Sequence, residues 1–531
     1  MTSIYFINPR ADFPTYFNAE NYTSHGIAPA TQMADLTIPT LAAMVPAGYE
    51  VKLCDQNISP VDYGCEADLI GITGKITQVG HMIEIANQFR AAGKTIVMGG
   101  PLASLSPDLL RPHCDILIQG EIEEIAPQLF GDLASGHYKD TYVGNKPDLN
   151  TSPVPRWELY PNDRAVMGTL QTSRGCPFEC EFCDVIQYAG RKQRHKQPAR
   201  VLAELDLLYR VGYRAVFLAD DNFTVYRARA RELLLAIKEW NDRREHGRVL
   251  FLTQLSVDIA QDDEMLKLCA EAGLTTVFIG LETPNEDSLR ETKKRQNLKR
   301  NLVDDVHAFY EHGIHVIGGM IVGFDADGPD IFQRQFDFAM AAAIPIFSLG
   351  ALVAPAATPL HARLKAAGRL RPDRSAEVAA VPWATNIVHP RMTLEQLMTG
   401  LRWLGNNLYS PQSFGDRLED FIGRLGRQRT RGSAMQLAMS GRAIDQDVMK
   451  VLTRVRELGP AENRLWARMT RCLIKKPEAA LPVFTALVQY MQIRYMYQLG
   501  HFWEPQLVGA VPPAPSTGLV TLRGTHDRAQ A

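Results

Sequence analysis

The amino-acid sequence predicts an α/β protein with three parts: an N-terminal Rossmann-like domain, a central full or partial (β/α) barrel and a C-terminal helical region. Two series of short apolar runs alternate with helical stretches, a pattern typical of parallel sheets covered by helices. After Pro359 the apolar runs end and helical periodicity continues alone. With 531 residues, 46% of them hydrophobic, the chain is long enough for two or three domains with cores of their own.

The first series of strands occupies residues 1–147, and its helical stretches include residues 37–46 and 79–92. A ligand of such a domain lies beyond the carboxyl ends of the strands. There Gly99 and Gly100 permit close approach of the backbone, although these glycines also suit simple turns. The candidate strands lie in the segments SIYFINP, YEVKLCD, ADLIGITG, KTIVMGGP and CDILIQGE.

A second series of strands occupies residues 164–360. Residues 148–163 before it are rich in proline and lack periodicity, which predicts an interdomain linker. The repeated alternation predicts a barrel whose chemistry lies at the carboxyl ends of its strands. The candidate strands lie in TLQTSRG, RAVFLADDN, VLFLTQLS, TTVFIGLET and HVIGGMIVGF.

The remaining sequence predicts a helical domain over residues 361–503, which we expect to cap the barrel mouth, and a disordered tail over residues 504–531. The apolar segment 481–503 approaches transmembrane length, but its glutamines and Arg494 would be costly in a bilayer. A docked or interfacial helix is therefore expected, and peripheral membrane contact stays open.

Charge and cysteine content narrow the function class. The formal charge of -2, from 57 basic and 59 acidic residues, offers no broad surface for a phosphate backbone, so a small-molecule substrate is expected and nucleic acid is not. Eight cysteines are too few for a disulfide framework over this length. The amino terminus lacks a secretory pattern, and a cytoplasmic location is the expectation.

The segment SRGCPFECEFCD carries the chemistry. Cys176, Cys180 and Cys183 follow a predicted strand, with three and then two residues between them. Three thiolates on one short loop can bind three irons of a [4Fe-4S] cubane and leave the fourth iron open to S-adenosylmethionine (SAM). The alternatives are a zinc site, or a cluster with a fourth cysteine such as Cys269 or Cys472.

This CxxxCxxC loop, with Phe182 before its third cysteine, resembles the loop of the radical SAM superfamily, and the resemblance covers residues 1–430. It implies that the aromatic ring lies near the adenine of SAM. It implies further SAM contacts at the ends of the next strands. The amino group would be held by Asp220, Asp221 and Asn222, the ribose or methionine part by Gln254, Ser256 and Glu282, and the adenine by Gly319 and Gly323.

The Rossmann-like domain resembles the cobalamin-binding domain of class B, or B12-binding, radical SAM proteins, with GGPLASLSPDLLRPHCDILIQGEIEE among its motifs. Many cobalamin domains contain Asp-x-His-x-x-Gly, but here Asn57 stands where the cobalt-ligating histidine would be. The alternative is a domain that kept this fold and lost the cofactor. The candidate cobalamin residues are Asp55, Asn57, Thr73, Gly99, Gly100 and Ser104.

A wider set of motifs is similar to those of the group containing hopanoid C-2 methylases, namely FINPR, LCDQNI, GGPLAS, SRGCPFECEFCDVIQYAGRKQRHK, FLADDNF, VFIGLETPN, GGMIVGFDAD and TPLHARL. This resemblance implies cobalamin-dependent methylation of an unactivated carbon in lipid or natural-product biosynthesis, with electrons from a flavodoxin or ferredoxin. One alternative is transfer of the aminocarboxypropyl group of SAM, for example to arsenic or another heteroatom. Rearrangement or oxidation without methyl transfer is another, and a cobalamin or iron-sulfur sensor is an alternative of a different class. Four side chains after the cluster loop are cavity candidates that also suit core or surface positions, namely Tyr188, Trp383, His389 and Trp403.

Overall fold

The computed structural model describes residues 3–371, 381–426 and 442–512. The strands are β1 (Ser3–Asn8), β2 (Thr31–Met33), β3 (Glu50–Asp55), β4 (Leu69–Thr73), β5 (Thr95–Gly99), β6 (Ile116–Gln119), β7 (Thr141–Val143), β8 (Ala165–Leu170), β9 (Ser173–Arg174), β10 (Arg194–His195), β11 (Ala215–Leu218), β12 (Leu250–Leu255), β13 (Leu274–Glu282), β14 (His315–Val322) and β15 (Phe347–Ala351). The helices are α1 (Asn21–Ser24), α2 (Thr37–Met44), α3 (Val79–Ala91), α4 (Pro101–Leu105), α5 (Pro107–Leu110), α6 (Ala126–Ser135), α7 (Val185–Tyr188), α8 (Pro198–Arg210), α9 (Arg227–Asp242), α10 (Asp263–Ala272), α11 (Glu286–Glu291), α12 (Leu302–Glu311), α13 (Ile331–Ala341), α14 (Pro359–Ala366), α15 (Leu394–Leu408), α16 (Pro411–Arg424), α17 (Ala443–Arg454), α18 (Pro460–Lys475) and α19 (Ala480–Leu499).

The Rossmann sheet has six parallel strands in the order β3-β1-β4-β5-β6-β7. Its central strand β4 is buried at every position, because helices cover both faces of the sheet. The mixed α/β fold with a Rossmann-like domain is thereby confirmed. The edge strand β7 was not predicted, since its three residues are too short to show alternation.

Strand β2 leaves the Rossmann part of the chain and joins the barrel sheet. It pairs parallel with β8, with Thr31 opposite Ala165 and Met33 opposite Met167. Its three residues gave no periodic signal in the sequence. The chain therefore enters the barrel sheet at β2, returns to the Rossmann sheet at β3, and enters the barrel sheet again at β8.

The expected linker, residues 148–163, is packed between the two sheets. Trp157 is only 1% exposed. The hydroxyl of Tyr160 donates to Oδ2 of Asp55 at 2.6 Å and accepts from the backbone N–H of Asp35 at 3.1 Å. These two buried aromatic residues fix the Rossmann sheet against the barrel, which a proline-rich sequence did not reveal.

The barrel is partial. Its seven parallel strands run in the order β15-β14-β13-β12-β11-β8-β2, so β15 and β2 are free edges. Helix α19 and the segment before β2 occupy the gap between these edges. Tyr16 donates its hydroxyl hydrogen to the carbonyl of Leu349 on β15 at 2.8 Å, and Gln492 on α19 donates to the carbonyl of Thr15 at 2.8 Å.

The later helices of the helical region contact the amino ends of the barrel strands, so these helices do not form the expected cap over the barrel mouth. Arg442, just before α17, donates to the carbonyls of Ala165 and Val166 at the start of β8, at 3.1 and 3.0 Å. The fully buried Arg417 on α16 donates to the carbonyl of Ile344, just before β15, at 2.8 Å.

The first part of the helical region lies at the carboxyl ends of β14 and β15. There Arg363 on α14 donates to Glu181 of the cluster loop and to Asp325, both at 3.0 Å, and the hydroxyl of Thr385 donates to the carbonyl of Leu352 at 2.6 Å. The carboxyl ends of the other strands face the Rossmann domain.

The first part of the expected disordered tail, residues 504–512, is ordered in the structure. Residues 504–512 pack on α15, where Trp403 donates to the carbonyl of Ala510 and Asn407 to that of Leu507, both at 2.9 Å. The rest of the expected disordered tail, residues 513–531, lies outside the described residues. Helix α19 is a core helix, and none of the described helices is long and apolar enough to cross a bilayer.

Candidate active site

The cluster loop, residues 175–184, lies between β9 and α7 at the carboxyl end of the barrel. The short antiparallel pair β9–β10 brackets the loop. The backbone N–H of Cys176 donates to the carbonyl of Gly190 at 3.1 Å, which closes the loop over its own continuation. The φ angle of +101° at Gly175 turns the chain sharply after β9, and a β-carbon there would lie 2.7 Å from the carbonyl oxygen of Lys192.

Each cysteine sulfur of the loop has a hydrogen-bond donor directed at it. The backbone N–H of Phe178 donates to Cys176 and that of Val185 to Cys183. The side-chain amide of Gln296 donates to Sγ of Cys180 at 3.7 Å.

Burial raises the pKa of Cys176, and it raises the pKa of Cys183 to about 12. Both groups are therefore neutral thiols unless a metal displaces their protons. Three thiols with N–H donors, of which that of Cys180 is buried and the other two are partly buried, fit the ligand set of an iron-sulfur cluster, whose potential depends on such hydrogen bonds.

The two cysteines weighed as a fourth ligand face other parts of the molecule. Cys269 is fully buried in the core on α10, and Cys472 lies beside Glu419. Each thiolate of a cubane binds its own iron, so the three loop sulfurs need not converge on one ion. Within the described ranges, no three His, Cys, Asp or Glu side chains are placed to hold a single metal ion.

Asp220 and Asp221 face different partners. Asp220 is 1% exposed, and its carboxylate accepts from the backbone N–H of Thr172 at 2.7 Å, from that of Ser173 at 3.0 Å, and from the hydroxyls of both residues. Asp221 accepts from the N–H of Gly175 at 2.7 Å and lines a large cavity. Burial and the neighbouring Asp220 raise the pKa of Asp221 to about 6. Asp220 therefore fixes the strand that leads into the cluster loop, and Asp221 is the acid exposed to a ligand.

The other expected SAM residues divide in the same way. Gln254 lines the cavity, and its carbonyl accepts from the N–H of Phe223 at 2.9 Å. The side-chain amide of Asn222 donates to the hydroxyl of Ser256 at 2.6 Å, and its buried Oδ1 has no partner among the described residues. This unpaired oxygen of Asn222 could accept a hydrogen bond from a bound molecule.

Glu282 forms an ion pair that the sequence analysis missed. It has a φ of +64°, which only strong packing sustains in a non-glycine residue. Its carboxylate accepts from Nζ of Lys294 at 2.8 Å, and a β-carbon at Gly280 would lie 2.4 Å from that carboxylate. Lys294 lies 5.9 Å from the ring centroid of Phe182, and its charge acts on Cys176 and Cys183.

The glycine-rich end of β14 is held by a buried aspartate, Asp327. Gly319 faces the ring of Phe278, whose tip a β-carbon would meet at 3.1 Å, and Gly323 has a φ of +97°. Asp327 accepts from the N–H groups of Gly323 and Phe324, both at 3.0 Å. Asp327 therefore shapes this turn from inside the protein.

One cavity of about 1030 Å³ joins the Rossmann domain to the barrel. Seven of the expected ligand residues line it: Asn57, Thr73, Gly99, Gly100, Ser104, Asp221 and Gln254. Tyr188 lines it too. Trp383 and Trp403 pack with aromatic neighbours, and Nε2 of His389 donates to the carbonyl of Phe324 at 2.6 Å, so these three have structural partners.

An apolar arm of this cavity runs over the Rossmann sheet. Its walls include Val97 and Ile118 from the sheet, Leu41 and Met44 from α2, and Phe130 from α6. The arm fits an apolar ring system, and the polar groups at its mouth fit the amide side chains of a corrin. The chain therefore has room and chemistry for cobalamin.

The position of the missing histidine is occupied by a fixed amide. Nδ2 of Asn57 donates to Oδ1 of Asp55 at 2.8 Å, and its Oδ1 accepts from the amide of Asn18 at 2.9 Å. Asp55 itself is 1% exposed and lies behind Asn57. Among the described residues that line the cavity there is no histidine.

An ion-pair network, also missed from the sequence, joins the two domains at the cavity. Glu121, after β6, pairs with Arg174 on β9 and accepts from Nη1 of Arg194 on β10 at 2.9 Å. Glu123 pairs with Arg174 at 3.0 Å. These side chains are 5–20% exposed, so the network holds the Rossmann domain directly beside the cluster loop.

Comparison with known families assigns three segments of the chain. The B12 binding domain model matches residues 26–130, and the radical SAM superfamily model matches residues 170–338. A domain of unknown function, DUF4070, matches residues 358–499.

Two curated relatives are similar over most of their length. An uncharacterized methyltransferase of Synechocystis sp. is 35% identical over 404 residues, which cover 75% of this chain and 74% of the relative. The hopanoid C-2 methylase of Rhodopseudomonas palustris is 30% identical over 377 residues, which cover 69% and 71%.

Two solved structures share the fold. The cobalamin-dependent SAM radical enzyme OxsB, with aqua-cobalamin and SAM bound, superposes with a TM-score of 0.60 at 16% identity and covers 94% of this chain and 80% of its own. The radical SAM methyltransferase TsrM of Kitasatospora setae gives a TM-score of 0.55 at 18% identity, over 70% and 79%.

Proposed function

This chain belongs to the radical SAM enzymes that carry a B12-binding domain, whose cofactors are a [4Fe-4S] cluster, SAM and cobalamin, and we propose that it methylates an unactivated carbon of a small molecule. The observation that supports this most is the cavity shared by both cofactor domains. Methylation needs a hydrogen-abstracting centre and a methyl carrier that both reach the same substrate carbon. The names of the two curated relatives, both methyltransferases, point the same way.

The residues have separate proposed roles. When bound, the cluster and cobalamin supply SAM cleavage and methyl transfer. Cys176, Cys180 and Cys183 hold the cluster, while Lys294 and Gln296 offset the charge of its thiolates. The remaining proposed contacts to SAM come from Phe182, Asp221, Asn222, Gln254, Ser256, Glu282, Gly319 and Gly323.

The Rossmann residues place the second cofactor. We assign corrin contacts to Asn57, Thr73, Gly99, Gly100 and Ser104, because these five line the shared cavity. Asp55 has a supporting role, since it fixes the amide of Asn57 from behind. The ion pairs of Glu121 keep the two sites at a constant separation and exclude water between them.

An external donor is part of the proposal. A flavodoxin or ferredoxin is the proposed source of electrons, and the cytoplasm is the proposed location. The eight cysteines are all free, which suits a reducing compartment.

Product analysis tests the reaction type. Cluster-loaded, cobalamin-loaded protein with reductant and SAM should form 5'-deoxyadenosine and S-adenosylhomocysteine together. The appearance of 5'-methylthioadenosine would instead mean aminocarboxypropyl transfer, and 5'-deoxyadenosine alone, with candidate substrate present, would mean oxidation or rearrangement. A protein that consumes no SAM would be a sensor.

Two cysteine variants control this experiment. Cys180→Ala should abolish SAM consumption, because it removes one ligand of the cluster. Cys472→Ala should leave it unchanged, because that thiol lies on α18 beside Glu419 and away from the loop. Consumption of SAM by Cys180→Ala at the wild-type rate would contradict the proposed cluster.

A further inference from the structure

The shared cavity extends beyond the cofactor sites into the barrel. Below Gln254, its walls are the inward side chains of Phe217, Leu252 and Phe278 on neighbouring strands. These three residues are only partly buried, although they point into the lumen of the barrel. Because barrel interiors are ordinarily filled by side chains, this hollow is a feature that needs an occupant.

The cavity walls become more apolar along its length. At the carboxyl ends of the strands they include Gln171, Asp221 and Gln254. Toward the amino ends, Val166 and Leu250 take these places, and the polar side chains at that end include those of Asp445 and Gln489. A cavity with mainly apolar walls favours hydrocarbon over ordered water.

Two helices of the C-terminal region form the floor of this hollow. Helix α17 contributes Val448 and Met449. Helix α19 contributes Phe484, Thr485 and Val488, whose spacing places them on one face. Because α19 also fills the gap between β15 and β2, it closes both the side and the bottom of the lumen.

The cofactors have other places to bind. The donors and acids for SAM lie at the carboxyl ends of the strands, and the apolar arm for cobalamin lies over the Rossmann sheet. We propose that the lumen between these sites and helices α17 and α19 is a substrate compartment, which takes the apolar body of an elongated, water-insoluble small molecule. The reacting carbon then stays at the polar end, beside SAM. Only this last orientation rests on the proposed function.

The compartment also gives a role to the region that matches DUF4070. Its helices α17 and α19 set the depth of the lumen, so they select substrates by length and shape. The cofactor residues lie at the other end and are unaffected by changes in this floor.

A fluorescent probe tests the compartment directly. N-phenyl-1-naphthylamine, a small apolar fluorophore, is titrated into the full-length, cluster-loaded protein. We expect one saturable site in the wild type. Thr485→Trp and Val488→Trp should each weaken binding by about tenfold or more, because the indole fills the hollow. Leu499→Trp is the matched control on the same helix, and since Leu499 is 52% exposed it should bind like the wild type.

Two further measurements keep the test decisive. Thr485→Val replaces a hydroxyl by a methyl group of similar size and should bind the probe at least as well as the wild type. An alkyl-diazirine probe, photo-cross-linked to the wild type, should label peptides within residues 481–489. Wild-type protein without a saturable site, undiminished binding by both indole variants, or label confined to surface peptides would overturn the compartment.

The outcomes for compartment and reaction are separable. If S-adenosylhomocysteine never forms but the probe binds and is excluded by Thr485→Trp, the proposed reaction fails and the compartment stands. If the reaction proceeds and the probe finds no site, the compartment fails alone. The control variant Leu499→Trp should retain SAM cleavage, because Leu499 lies at the exposed end of α19 and outside the lumen.

Discussion

Replacing Asp220 by alanine should destabilise the cluster loop, although Asp220 is not among the proposed contacts to SAM. The carboxylate is 1% exposed and accepts from the N–H groups of Thr172 and Ser173, which are themselves 3% and 2% exposed. In the variant the two hydroxyls can turn to other acceptors, but the two amides are left buried and unpaired. At about 1–3 kcal/mol for each amide, the loss of stability is roughly 2–6 kcal/mol.

The assay combines melting temperature with iron content. Asp220→Ala should melt at least about 4 °C below the wild type, taking the lower bound of the lost stability for a domain of this size. It should also take up fewer iron atoms on reconstitution, because Thr172 and Ser173 lead directly into the loop of Cys176.

Asp221 supplies the contrast. Its carboxylate accepts from one backbone amide, that of Gly175, and otherwise faces the cavity. Asp221→Ala should therefore keep more of its iron than Asp220→Ala and lose more affinity for SAM, measured by calorimetry on the loaded protein. If Asp220→Ala instead melts like the wild type, holds a full cluster and binds SAM weakly, then Asp220 contacts SAM as the superfamily resemblance implies.

Three other predictions concern single side chains. Lys294→Met removes a cation beside the cluster thiols and should make the cluster potential more negative in an EPR-monitored titration without SAM, whereas Lys293→Met, whose side chain is 46% exposed, should not. Burial and a neighbouring carboxylate raise the pKa of Asp35 to about 6, so ionising it in the folded state lowers stability as the pH rises from about 4 to 6. Thermal unfolding should therefore show Asp35→Asn to be as stable as the wild type at pH 4. At pH 8 its free energy of unfolding should be higher by roughly 1–3 kcal/mol, a reduced range because the group lines a cavity that admits water. A difference that is the same at both pH values would refute the assignment. Gly100→Ala should weaken hydroxocobalamin binding, followed by absorbance, since its β-carbon would lie 2.7 Å from a threonine hydroxyl on β4. Gly93→Ala, also at a positive φ but with open space around it, should not weaken it.

The fold class and the cluster loop could be predicted because their sequence patterns are local. The spacing of Cys176, Cys180 and Cys183 is a property of eight consecutive residues, and it is readable without the fold. Most strands of both sheets were also predicted, because alternation within a strand is local. The strand β2 was missed because pairing with β8, not its own three residues, makes it a strand.

The site residues that the sequence did not indicate depend on contacts across the chain. Lys294 and Gln296 lie more than a hundred positions after the cysteines they face, and lysine and glutamine after a helix normally indicate a solvated surface. Asp220 and Asp221 are adjacent in sequence, yet one points into the protein and the other into the cavity. No property of the two neighbours alone separates a scaffold acid from a ligand acid.

The Rossmann domain and the C-terminal helices contact the barrel at separate places, and this bears on how substrate specificity can change among such enzymes. The Rossmann domain and the cluster loop meet at the carboxyl ends of the barrel strands, held by the buried ion pairs of Glu121. Helices α16 and α17 meet the opposite ends, held by Arg417 and Arg442. Because the two contacts share no residue, the floor of the lumen can be remodelled while the separation of the cofactors is conserved. Substrate selection should therefore be transferable by exchanging the lumen-facing residues of α17 and α19, without loss of SAM cleavage.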